Sequence, residues 1–81
     1  MMAAVTLLYF ASLREQAGVA SESVQTDAAD LAGLYADVQA RHGIAWPREH
    51  LRVAVNGEFA RWSDALVSGS EIAFIPPVSG G

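Results

Sequence analysis

The stretch DLAGLYADVQARH (Asp30–His42) carries a helical repeat, and the fold depends on what surrounds it. Leu31, Leu34, Tyr35 and Val38 fall at i, i+3, i+4 and i+7, the apolar stripe of an amphipathic helix. Asp27 or Asp30 can cap its first turn, Arg41 and His42 suit the negative end of its dipole, and Gly43 suits the stop. Gly33 costs the helix about 1 kcal/mol relative to alanine. It is either neutral or a point where helix and sheet come close.

Outward from this helix in both directions the chain reads as strands. Val5–Ala11 is β-branched and aromatic, and Ser21–Thr26 alternates weakly, so the two form a hairpin across Ser12–Gly18, a short helical turn or loop. After the helix, Ile44–His50 is a loop and Leu51–Val55 a strand. Asn56-Gly57 marks a tight turn, Glu58–Trp62 returns, and Glu71–Ile75 is the last strand. The order β-β-α-β-β-β predicts an α+β domain, a mixed sheet with one main helix packed on one face. If the first and last strands lie side by side in parallel, the arrangement is a β-grasp; periodicity alone does not decide that adjacency. Residues 1–76 form the domain and 77–81 an extended tail.

The first strand has two apolar rows, Val5/Leu7/Tyr9 and Thr6/Leu8/Phe10. The last strand repeats the division, with Ile72/Phe74 on one face and Ala73/Ile75 on the other. One helix can cover only one face. In an 81-residue chain a second apolar sheet face marks a docking surface, and Phe10, Phe59 and Ile75 are the residues expected to contact a partner.

Composition narrows the chemistry. There is no cysteine, hence no disulfide, thiolate site or cysteine nucleophile. Net charge is −4 and the five arginines are dispersed, which disfavours nucleic acid and favours a basic protein partner. No spacing fits a metal site, a phosphate loop or a nucleophile elbow, so a self-contained enzyme is not expected. The apolar start lacks the basic flank of a signal peptide and is too short to span a bilayer as a helix, giving an expectation of a cytoplasmic protein without membrane association. The absence of lysine has two readings, a compositional preference for arginine or the exclusion of amines that an activated C-terminus would acylate.

The sequence closes on Ile75-Pro76-Pro77-Val78-Ser79-Gly80-Gly81. Two prolines cannot extend a ladder, so the strand stops there. Pro77 to Gly81 can reach roughly 15 Å when extended. Gly80 and Gly81 lack Cβ atoms and can thread a channel closed to side chains, which suits delivery of a terminal carboxylate into another protein's active site. Activation of that carboxylate needs an outside enzyme that binds ATP.

The segments VTLLYFASLRE, VAVNGE and above all SGSEIAFIPPVSGG resemble the small-subunit family of molybdopterin synthase, sulfur carriers of ubiquitin-like β-grasp fold. The resemblance spans Val5 to Gly81. It implies that Gly81 is adenylated by a ubiquitin-activating-like adenylyltransferase and converted to a thiocarboxylate by a sulfur donor system. The tail Pro76–Gly80 would then insert into the large catalytic subunit, where sulfur passes to a pterin precursor in molybdenum cofactor biosynthesis. It further implies a heterotetramer of two small and two large subunits, partner contacts at Phe10, Phe59 and Ile75, and no cofactor held by this chain, ATP being consumed by the activating partner. The alternatives are a carrier for another pathway, such as thiazole synthesis, and a ubiquitin-like interaction module with an inert tail.

Overall fold

The computed structural model describes residues 2–77. Along them run β1 (Ala3–Tyr9), α1 (Ser12–Ala17), β2 (Ser21–Thr26), α2 (Leu31–His42), β3 (Arg52–Val55), β4 (Glu58–Ala60) and β5 (Glu71–Ile75), with a 3-10 turn at Arg48–His50. The sheet order is β2-β1-β5-β3-β4. β1 and β5 pair in parallel at its centre, and the other neighbours are antiparallel. This is the ubiquitin-like β-grasp, with the long helix on one face.

Both ends of α2 lie where the capping residues put them. Asp30 is extended and its side chain accepts from the Gly33 N–H at 2.8 Å, so it caps the helix in preference to Asp27. Gly43 takes the left-handed conformation at φ 64° and closes the last turn onto the Gln39 carbonyl. A Cβ on Gly33 would lie 3.3 Å from both the Ala28 Cβ and Asp30 Oδ1. The close approach at Gly33 is therefore to its own cap and the preceding turn, not to the sheet.

The helical stripe packs as expected: Leu31, Leu34, Tyr35 and Val38 are buried with Val5, Leu7, Tyr9, Val53, Ile72 and Phe74. Each such side chain contributes roughly 1.5–3 kcal/mol by leaving water. Phe74 sits at the centre, edge-on to Tyr35 at 5.1 Å between ring centroids and stacked on Trp62 at 6.0 Å.

Several boundaries differ from the expectation, β1 beginning earlier, at Ala3, and β3 later, at Arg52. β1 stops at Tyr9 instead of reaching Ala11, because Ala11 turns the chain at φ 52°. Of the two readings of Ser12–Gly18 the helical one is observed: α1 lies between the first two strands and buries Leu13 completely. β4 ends at Ala60 and not at Trp62. Trp62 leaves the ladder for the core, and its carbonyl accepts from the Ala32 N–H at 2.9 Å, tying this loop to the start of α2. No helix among the described residues is long and apolar enough to cross a membrane.

Candidate functional site

The face of the sheet opposite α2 is built from one cross-strand row. Leu8 stands opposite Ala73, Ala73 opposite Ala54, and Ala54 opposite Phe59, which carries the row across β1, β5, β3 and β4. Large residues at the ends and alanines in the middle make a saddle. Together with Phe10, Ile75, Gly57 and Glu71 they line a concavity of about 240 Å³. Phe59 is 67% exposed and Phe10 46%. Such exposure of two aromatics beside a concave apolar floor is what a docking surface presents.

Phe10, Phe59 and Ile75, the three residues expected to meet a partner, thus line one concavity. Leu8 and Ala73, which strand alternation places on this face, complete it together with Ala54 and Arg52, which were not singled out by the sequence. Arg52 pairs across the ladder with Ile75 and places its guanidinium 5.3 Å from the centre of the Phe59 ring. The alternation of Leu51–Val55 carried the signal, since Val53 facing the core puts Arg52 and Ala54 on the other side.

The concavity runs into the root of the tail. β5 ends at Ile75, Pro76 is buried and Pro77 exposed, in keeping with a strand that two prolines terminate. Ile75, Pro76 and Pro77 line two further recesses, one shared with Arg52 and Phe59, the other with Phe10 and Trp46. Pro76 and Pro77 therefore lie beside the apolar face. Val78, Ser79, Gly80 and Gly81, the remaining tail positions, lie outside the described residues.

Away from the tail, Glu22 on β2 holds β1 and α2 together. Its Oε2 accepts from the Tyr9 hydroxyl at 2.6 Å and lies 2.6 Å from His42 Nε2, while Arg41 stands 4.0 Å from Oε1. Partial burial pushes the Glu22 carboxyl up. The hydrogen bonds with Tyr9 and His42 and the charges of His42 and Arg41 together outweigh that and hold it below the usual carboxylate value. Burial, reinforced by the bond to Glu22, pushes the Tyr9 phenol far up, and burial also raises Tyr35. Arg41 and His42, expected merely to suit the helix end, are part of this clasp. Every buried side-chain nitrogen or oxygen among the described residues has a hydrogen-bond partner.

The sequence model of the ThiS family matches residues 7–81. The molybdopterin synthase sulfur carrier subunit of Homo sapiens is 39% identical over 82 residues, spanning 95% of this chain and 93% of that protein. Among solved structures, SAMP1 from Haloferax volcanii superposes with a TM-score of 0.82 at 31% identity, covering 96% of this chain and 99% of that one. A protein–protein complex of subunits 1 and 2 of the molybdopterin-converting factor from Helicobacter pylori contains a chain similar to this one, with a TM-score of 0.64, 28% identity and full coverage of both. A family match that omits only the first six residues, on the β-grasp scaffold that such relatives share, leaves one conclusion: the chain belongs to the ThiS family.

Proposed function

We propose that this chain is the sulfur-carrier subunit of a molybdopterin synthase, inactive alone and working through its C-terminal carboxylate. One observation carries the reading: an uncovered apolar face converges on a strand that two prolines end just before Gly80-Gly81. The name of the Homo sapiens relative and the two-subunit Helicobacter pylori complex support it.

The chemistry belongs to the terminus and to its partners. In an adenylyltransferase of the ubiquitin-activating type, a Gly81 carboxylate oxygen attacks the α-phosphorus of ATP and pyrophosphate leaves. A sulfur nucleophile from the donor system then displaces AMP at the acyl carbon, leaving a thiocarboxylate. In the large subunit that sulfur bonds to a carbon of the pterin precursor, an oxygen substituent leaving that carbon, and water cleaves the acyl–sulfur bond to restore the carboxylate; two such transfers supply the two sulfurs of the dithiolene. The glycines keep the lead thin enough for both active sites, and Phe10, Phe59 and Ile75 dock the body so that the lead enters in register. The chain itself holds no cofactor in this scheme, ATP being consumed by the activating partner in the cytoplasm.

The test is a reconstituted synthesis with the large subunit, the adenylyltransferase, ATP, a sulfur source and the pterin precursor. Deleting Gly81 abolishes dithiolene formation while the melting curve stays unchanged. Retained synthesis by the truncated chain sinks the proposal.

A further inference from the structure

The turn that ends β1 contains an unexpected residue. Ala11 has φ 52° and ψ −125°, and the Leu13 N–H donates to the Phe10 carbonyl at 3.0 Å. These values describe a type II′ turn over Phe10–Leu13, whose second residue needs a positive φ and is ordinarily glycine, asparagine or aspartate. Alanine in that conformation is strained, and such strain persists only where the surroundings over-determine it.

The surroundings do so at several points. Ser12, the next residue, accepts from the Trp46 indole Nε1–H at 3.0 Å, and Gln16 accepts from the Ala45 N–H at 2.9 Å. From the other side the Trp46 carbonyl accepts from the Tyr35 hydroxyl at 2.6 Å and from Gln39 Nε2 at 3.0 Å. The irregular 44–47 segment is thus pinned both to α1 and to α2. Trp46 is only half-buried, although its one polar atom is satisfied. Phe10, Ala11, Ser12 and Trp46 line, with the Ile75–Pro77 segment, a recess of about 730 Å³ at the tail root.

Resting on the carrier reading above, we propose that the Phe10–Leu13 turn is a strained brace: Ala11 is held in a glycine conformation so that Phe10, Ser12 and Trp46 form a rigid wall beside the tail root, against which the large subunit seats an apolar side chain. The occupant follows from the position of the recess. Pro76 and Pro77 form part of its lining, so a protein that takes the tail must also cover this wall. An indole fixed in advance and half-exposed is the kind of anchor that interfaces use, because little side-chain freedom remains to be lost on binding. Ala11, Ser12 and Trp46 are positioning residues in this account and touch no reacting atom.

Ala11→Gly tests the brace, with Ser12→Ala as a second variant that leaves the turn alone and removes the indole's acceptor. In the isolated chain, Ala11→Gly raises the melting temperature by roughly 4 °C, because relief of strain outweighs the extra freedom of the unfolded glycine. It also speeds hydrogen exchange at the Trp46 indole N–H. Ser12→Ala speeds the same exchange without raising the melting temperature. Against the large synthase subunit, both variants weaken the Kd by about fivefold or more. An unchanged or lower melting temperature for Ala11→Gly overturns the strain. Unchanged indole exchange and unchanged affinity in both variants overturn the wall. If the wild-type chain itself does not bind the large subunit, the carrier reading fails and the seating falls with it, while the melting and exchange data still decide whether Ala11 restrains the wall.

Discussion

The two faces of the central sheet are made by the same strands and live under opposite rules. On β5, Ile72 and Phe74 are completely buried beneath α2, whereas Ala73 and Ile75, one residue along, belong to the uncovered saddle with Phe10 and Phe59. The pleat alone separates them. One face supplies the stability that lets an 81-residue chain fold, and the other stays apolar with no helix over it. Substitutions on the first are expected to change folding, and on the second to change association only.

The sharpest way to break that contrast is to exchange one aromatic from each face. Phe74→Ala removes a ring that touches Tyr35 and Trp62, so urea denaturation should show a loss of about 3–5 kcal/mol. Phe59→Ser should leave stability within about 0.5 kcal/mol yet cost about 2 kcal/mol or more in affinity for the large subunit, read by calorimetry. If Phe59→Ser unfolds the chain, the outer face is core and the contrast collapses.

The clasp on the covered side gives an intermediate effect. Glu22→Gln should cost about 1–2 kcal/mol at neutral pH, since Tyr9 and His42 lose a charged acceptor. The sign with pH follows from the direction of the shift. The folded state holds the Glu22 carboxyl below its ordinary value, so its stabilisation is complete above that ordinary value. It is lost as pH falls through the depressed one. Denaturation across the acid range should therefore be flatter for Glu22→Gln than for wild type. The smallest effect belongs to the outer face: Arg52→Ala removes the cation over Phe59 and should cost about 0.5 kcal/mol, detectable only by a double-mutant cycle with Phe59→Ala.

What the sequence made legible follows the range of the interactions. Asp30, Gly43 and the stripe between them located α2, because capping and the 3.6 period are local. Strand alternation likewise assigned Leu7 and Phe74 to the core and Phe10 and Ile75 to the face. The parallel pairing of β1 with β5 was not readable from periodicity, since partners such as Leu7 and Ile72 meet only through the whole intervening chain; the family resemblance supplied it. Ala11 is not a turn residue by composition, so the strand reads on through a turn that only tertiary contacts enforce. Trp62 likewise reads as a strand residue until the core claims it. The Tyr9–Glu22–His42 clasp joins three elements and leaves no short-range trace.

The central claim is that everything on the uncovered face serves a reactive terminus at Gly81. The most direct measurement is mass spectrometry of the C-terminal peptide after the chain is incubated with the adenylyltransferase, ATP and a sulfur source. The expected product is a peptide heavier by one oxygen-to-sulfur exchange, formed only with ATP and reverting when the large subunit and pterin precursor are added. A C-terminal peptide that keeps its carboxylate mass under those conditions contradicts the claim.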